Sequence, residues 1–484
     1  MRFNSPIYLA FLPIVVLAVW LTPPRARRWV LLLASYAFYA SWHWPYLGLL
    51  VGSAALNHWG AKWIVAGPPD RKWRGGWVLA ANVLLLAVFK YLSWLCENVN
   101  AVASWLGFDQ VVEVPHWILP LGISFYVFEA ISYTVDIVRK RERIHSFWDF
   151  QLFIALFPKL IAGPIMRAKE LLPQIENPPA RLLSSAFLDG VWLITTGMFI
   201  KVVLADGIGP SVDQAFSRPY ESVGASDVWL MAVAFGLQIY FDFSSYTRMA
   251  IGSAKLCGIQ LVDNFNYPYS STSPVDFWNR WHMSLSRWIR DYLFFPLLGK
   301  KATLGAMCRA ALISMTLCGI WHGAGWPFLL WGFYHGCLIA GYHILTYRQR
   351  TATPSAVETE SAAAPLRRLA ALLTTFGLVS LGWILFRSAS TAQALGLVER
   401  ALMPWEYSYR ALSGTFYLHA AVLTLAVWAA PFAARWFVRA ASADGTPSEG
   451  GFAYWAAQGG LVGAMLVLCL IYLRGQTAFI YFQF

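Results

Sequence analysis

Apolar runs of about 17 to 25 residues recur along the whole chain, the length a helix needs to cross a hydrocarbon core about 30 Å thick. They cover residues 7–22, 29–45, 46–66, 77–96, 117–138, 185–205, 228–256, 306–322, 326–346, 366–386, 414–438 and 455–473. The pattern predicts an all-α, polytopic membrane protein with about 11 or 12 spanning helices. Phe147 to Ile165 is apolar but interrupted by Pro158 and Pro164, which suits a re-entrant or interfacial piece as well as a full span. The opening stretch to Leu21 has no small-residue cleavage pattern and runs into Pro23-Pro24-Arg25, so a first span is expected there rather than a leader.

No polar segment between the runs is long enough to fold alone, and one membrane domain over 1–484 is expected. Composition agrees: 58% of residues are hydrophobic, 13% are charged, and there are 25 Trp and 32 Phe, more apolar and aromatic content than a soluble domain carries. Residues 351–365, rich in Ala, Ser, Thr and Glu, are expected to form a disordered cytoplasmic loop. The six cysteines show no ligand spacing.

Charge orients the chain. Arg25, Arg27 and Arg28 follow the first run, Arg71, Lys72 and Arg74 the third, and Arg139, Lys140, Arg141 and Arg143 the fifth, while Glu97 to His116 holds no Lys or Arg. The alternation places the basic loops in the cytoplasm and the N-terminus on the periplasmic side. It also accounts for the net charge of +12 without a nucleic acid. Lys90, Lys201, Lys255 and Asp136 lie near run ends and are expected to snorkel, whereas Glu129, nearer mid-span, requires a partner.

The stretch 276–298 differs from every span. Phe277, Trp281, Trp288 and Tyr292 fall near one helical face, and Arg280, Arg287, Arg290 and Asp291 on another, as in an amphipathic cytoplasmic helix. Within it His282 and Ser286, four apart, share a face and form a polar pair expected to point into a cytoplasmic vestibule, while the arginines serve a ligand or a headgroup belt.

One histidine stands inside the membrane. His322 lies in Cys318-Gly319-Ile320-Trp321-His322-Gly323-Ala324-Gly325-Trp326-Pro327, a helix-breaking sequence between two apolar runs. An unpaired polar group costs on the order of 2 to 7 kcal/mol in hydrocarbon, so such a ring is a functional candidate. A buried neutral imidazole suits a general base, the glycines let backbone or substrate approach closely, and Trp321 and Trp326 offer flat pocket walls. His322 and His335 are thirteen residues apart, with no cysteine or carboxylate to complete a ligand set, so no metal is expected. Gln238 and Asp242, four apart, share a face and either line a tunnel or bond between helices.

Asp276-Phe277-Trp278-Asn279-Arg280-Trp281-His282-Met283-Ser284-Leu285-Ser286 and Trp321-His322-Gly323-Ala324 resemble the two histidine motifs of the membrane-bound O-acyltransferase (MBOAT) family. The likeness extends to Lys90-Tyr91, Leu119 to Phe125, Phe157-Pro158, Ala162 to Ile165, Gln238 to Ser244, Asn264 to Tyr269 and Phe479 to Phe484. These resemble the branch containing the alginate O-acetyltransferase membrane subunit. The resemblance implies a fold of spanning and re-entrant helices around a central tunnel in the bacterial inner membrane. It implies His322 as the essential histidine and His282 as a supporting one in the cytoplasmic funnel. It further implies acetyl-CoA as a transient thioester donor with no permanently bound cofactor. The acyl group would pass to a periplasmic or membrane-anchored partner acetyltransferase, and finally to an exopolysaccharide. Two alternatives stay open: D-alanyl transfer toward teichoic acid, and a non-catalytic transporter gated by His322, for which no internal repeat is found.

Overall fold

Every apolar run overlaps a helix in the computed structural model, which describes residues 1–67, 72–352, 364–442, 452–472 and 479–480, though the run at 117–138 becomes helical only at Ile123. Most of the expected loop at 351–365 falls outside the described residues. Among the described residues there is no strand, and seven helices are long and apolar enough to cross a membrane: Lys72–Trp105, Ser184–Phe216, Ala225–Leu256, Leu304–His322, Trp326–Tyr347, Pro365–Arg387 and Gly414–Ala433. The 16-residue helix Pro6–Leu21 is apolar but shorter. Lys90, expected near a span end, lies mid-way along Lys72–Trp105, on a π-helical turn at Ala87–Tyr91.

Two compact units emerge, each discontinuous in sequence: residues 1–197 with 246–263, and residues 198–245 with 264–484. Each is assembled from helices distant along the chain, so no composition shift marks it.

In the first unit, polar groups bind apolar helices together. Asn57 and Asn82 exchange side-chain hydrogen bonds of 3.0 and 2.9 Å, and Thr134 donates to Asn57 Oδ1 at 3.1 Å, joining three helices. Such bonds hold where apolar faces gain nothing by leaving lipid. Tyr8 donates to Ser253 Oγ at 2.7 Å amid the rings of Phe3, Phe38 and Phe157. The proline-broken stretch folds as Phe147–Ala155 and Phe157–Leu160, buried from Asp149 onward, with Trp148 exposed. A nine-residue helix rises about 14 Å and cannot cross a bilayer. Glu129 finds the partner its position requires in this stretch: Lys159 donates to Glu129 Oε2, and the Met166 N–H to Oε1 at 3.0 Å.

In the second unit, Lys201 departs from the expectation of snorkelling. It is fully buried on a π-helical turn, with its ammonium 2.8 Å from Asp206 and 2.7 Å from Asp242. Two carboxylates beside one ammonium hold the cation inside the protein more firmly than headgroups could reach it. The 276–298 stretch also differs from the amphipathic helix expected. It forms Pro274–Arg280, Met283–Ile289, a π-helical turn at Arg290–Phe294, and Phe295–Leu298. The break falls at His282, whose φ is +40°, and Trp281, His282 and Trp288 are buried.

An isolated buried ion pair, once broken, leaves a charge without compensation. Lys159→Met is expected to destabilise the protein by about 3 to 5 kcal/mol, and the Glu129→Gln, Lys159→Met double variant to recover most of that loss. Thermal unfolding in detergent checks this; a double variant no better than the single would contradict it.

A second test concerns pH. His145 is clasped by Glu176 at 2.7 Å from Nδ1 and by Glu142 at 3.1 Å from Nε2. Burial alone would lower its pKa, but hydrogen bonds and charge from both glutamates outweigh it and raise the value above the ordinary one. The clasp therefore contributes fully below the unfolded histidine value of about 6.5 and is lost as pH rises through the folded value. The melting temperature advantage of the native protein over His145→Gln is expected to shrink as pH rises from about 6 to 8. An advantage that grows over this range would refute the clasp.

Candidate active site

His322 is the last residue of the helix Leu304–His322, and the chain leaves it in extended geometry at Gly323 before the next helix starts at Trp326. The two helices form a hairpin whose backbones touch. A Cβ on Gly319 would come 2.2 Å from the Phe328 carbonyl oxygen, and one on Gly332 2.3 Å from that of Met315. Small residues at such a crossing are how membrane helices approach closely. The helix-breaking sequence is thus the tip of a tight hairpin, and it carries His322 into the interior, 4% exposed.

Aromatic rings enclose this histidine. Its ring centre lies 4.9 Å from Trp321, 5.0 Å from Trp331 at a right angle, and 5.3 Å from Phe386. Trp321 also lies 6.3 Å from His282, so one indole connects both motif histidines. Trp326, expected as a second wall, is half exposed.

His282 is held by the chain that precedes its motif. Asn264 accepts from Met283 N–H at 2.9 Å through its carbonyl, and from the Ser284 hydroxyl at 2.6 Å through its side chain. Asn266 N–H donates to the Arg280 carbonyl at 3.0 Å. These bonds pin the turn in the left-handed conformation that a non-glycine residue adopts at a cost. Phe243 meets the His282 ring at 4.6 Å, nearly perpendicular. Burial pushes the His282 pKa down to about 3, so the ring is neutral at physiological pH.

The remaining sequence candidates divide. Trp281 belongs to the aromatic wall, stacked on Phe277 at 5.5 Å and 5.0 Å from Trp383. Ser286 does not share a face with His282, because the helix restarts there, and its hydroxyl donates to the Trp281 carbonyl at 3.0 Å. Arg280 is bound to Asp276 at 2.7 Å, and Arg290 to Asp291 at 3.1 Å on the surface. Asp242 is engaged by Lys201 and accepts from the Ile480 N–H at 2.6 Å. Gln238 is buried on the same helix. Sequence reasoning weighed His335 only as a metal ligand and passed over Trp331, Trp383 and Phe386. Phe328, Trp331 and His335 recur at intervals of three and four, the one signal that could have marked an aromatic stripe facing His322.

Known proteins resemble this chain over much of its length. The model of the membrane-bound O-acyltransferase family, MBOAT, matches residues 138–381, which include both histidines. The chain is 38% identical over 393 residues to the probable alginate O-acetylase AlgI of Azotobacter vinelandii, covering 80% of this chain and 75% of that one. It is 33% identical over 433 residues to the peptidoglycan O-acetyltransferase of Helicobacter pylori, covering 82% and 79%. The teichoic acid D-alanyltransferase of Streptococcus thermophilus is 29% identical over 300 residues, covering 57% and 67%. These matches make the chain an enzyme rather than the non-catalytic transporter that a lone intramembrane histidine also allows: it is a multi-pass O-acyltransferase that belongs to the membrane-bound O-acyltransferase family.

Proposed function

We propose that this protein moves an acetyl group from a cytoplasmic thioester, acetyl-CoA, across the bacterial inner membrane for O-acetylation of an exported polysaccharide such as alginate or a related exopolysaccharide. The observation that carries the proposal is the placement of His322 at a buried hairpin tip, walled by Trp321, Trp331 and Phe386. The O-acetyltransferase relatives cover more of the chain than the D-alanyltransferase relative does, which favours acetyl transfer over D-alanyl transfer. The basic loops after the first, third and fifth runs face the cytoplasm in this reading, and the N-terminus the periplasm.

The chemistry follows from the residues. His322 takes the proton of an acceptor hydroxyl as its oxygen attacks the thioester carbonyl carbon. The carbon–sulfur bond then breaks, and the proton passes to the departing thiolate. The positive charge that the ring holds between these steps sits at the negative end of the Leu304–His322 helix, a favourable place for it. Apolar walls keep out water that would otherwise hydrolyse the thioester. His282, neutral and held rigid by the Asn264 turn, supports the donor side of the passage. The immediate acceptor is a periplasmic or membrane-anchored partner acetyltransferase, which completes the ester on the polysaccharide.

Ester released from the exopolysaccharide of a deletion strain tests this, with complementing variants matched for membrane level. Wild type is expected to restore ester, and His322→Ala to lose about 10² to 10⁴-fold in rate. His282→Asn keeps a residue that tolerates positive φ and removes the imidazole, so its expected loss is smaller and reports the ring rather than the turn. Full ester from His322→Ala would overturn the assignment, and release of D-alanine instead of acetate would change the acyl group.

A further inference from the structure

Trp331, beside His322, and His335, in contact with Trp331, each carry a buried hydrogen-bond donor for which the described residues supply no acceptor. The Trp331 Nε1 and the His335 Nε2 are both inaccessible and have no hydrogen-bond partner among the described residues. Their rings are in contact, 4.9 Å between centres, and Trp331 is in turn 5.0 Å from His322. The tautomer of His335 is set by its other nitrogen. Trp278 Nε1 donates to His335 Nδ1 at 3.4 Å, so Nδ1 accepts and the neutral ring carries its hydrogen on Nε2. An indole N–H can only donate. Both orphan groups are therefore donors, and buried polar groups are so rarely left unpaired that two in one contact call for an explanation. The wall at His335 Nε2 is Gly382, where a single added Cβ would stand 2.8 Å from that nitrogen.

We propose that Trp331 and His335 bind the carbonyl oxygen of the transferred acyl group beside His322, forming the oxyanion site of the reaction. The proposal rests on the acyl-transfer reading above and adds to it the residues that receive the developing charge. A thioester carbonyl oxygen accepts hydrogen bonds and donates none, which matches two donors without an acceptor. A hydroxyl or ammonium ligand would leave its own hydrogen unmatched there. As the acceptor oxygen bonds to the carbonyl carbon and its proton moves to His322, the carbonyl π electrons pass onto the oxygen held by the two N–H groups. They return to the carbon as the carbon–sulfur bond breaks, and the thiolate collects the proton from His322. Neither donor changes its protonation, and their fixed dipoles in a dry site require no reorganisation when charge appears.

Trp331→Phe tests the proposal because it keeps an aromatic ring and removes only the donor. The rate of ester formation in the complemented deletion strain is expected to fall about 100-fold. The thermal midpoint of the purified variant is expected to match or exceed wild type, since a buried donor without a partner has been removed. A wild-type rate would overturn the proposal, and so would a rate that falls only in step with a lowered midpoint, the mark of a packing role. At position 335, His335→Gln retains an N–H donor and is expected to be faster than His335→Leu; equal rates would exclude His335 from the oxyanion site. His322→Ala, assayed alongside, separates the two levels of argument. An inactive His322→Ala with a fully active Trp331→Phe removes the oxyanion site alone, whereas an active His322→Ala removes the acyl-transfer reading beneath it.

Discussion

Backbone contact between the helices Leu304–His322 and Trp326–Tyr347 sets the geometry on which the site depends. With Gly319 and Gly332 at the crossing, the two helices approach as closely as main chains can, and any side chain at either position would force them apart. The turn at residues 323–325 is short because the crossing is tight. A short turn leaves His322 no route to the lipid or to the aqueous face, and its ring points among aromatic neighbours supplied by both arms of the hairpin and by the Pro365–Arg387 helix. Widening the crossing would move Trp331 and His322 relative to each other, so packing between glycines controls the contact between these two rings.

The buried charges perform a different service. Lys201 with Asp206 and Asp242, and Lys159 with Glu129, lie on helices whose own apolar faces would pack equally well in several rotational settings. Hydrocarbon side chains do not discriminate strongly among those settings in a membrane, but an ion pair that must be fully matched does. Asp242 illustrates this economy: one carboxylate oxygen meets Lys201, and the other accepts from the Ile480 backbone, tying three distant parts of the chain to one point. Phe243, the next residue, then presents its ring to His282. Asp242, open in the sequence between tunnel lining and interhelical bond, makes bonds to Lys201 and Ile480 in the structure, on the helix that carries Phe243.

Much of this was legible beforehand, for definable reasons. Span length is dictated by bilayer thickness, so the helices could be located from apolar runs alone, and the histidine in a helix-breaking context stood out because hydrocarbon penalises it. What misled was the assumption of helical continuity. The arrangement of Phe277, Trp281, Arg280 and Arg290 on two faces holds only if the helix runs through His282, and it does not. Nothing in the residue types announces that break, because the hydrogen bonds that impose it come from Asn264 and Asn266, more than a dozen residues upstream. Lys201 was misread for a related reason. Its partner Asp242 lies about forty residues away on another helix, and a lysine near a span end looks the same whether it reaches outward or inward.

The two histidines, similar in the sequence, are unequal in physical situation. His282 caps a turn held at positive φ, is wholly buried, and has its pKa pushed down to about 3, so carrying a proton there would require overcoming its surroundings. His322 sits at a helix C-terminus, where carbonyl dipoles favour a positive ring. The mechanism proposed above, in which His322 holds a proton briefly and His282 stays neutral and fixed, fits this difference in backbone setting. Trp321, in contact with both rings, couples their positions without coupling their charges, since an indole can neither accept nor relay the proton at issue. Trp321 precedes His322 on the last turn of its helix, and from there its ring meets His322 and approaches His282, which arrives from a different part of the chain.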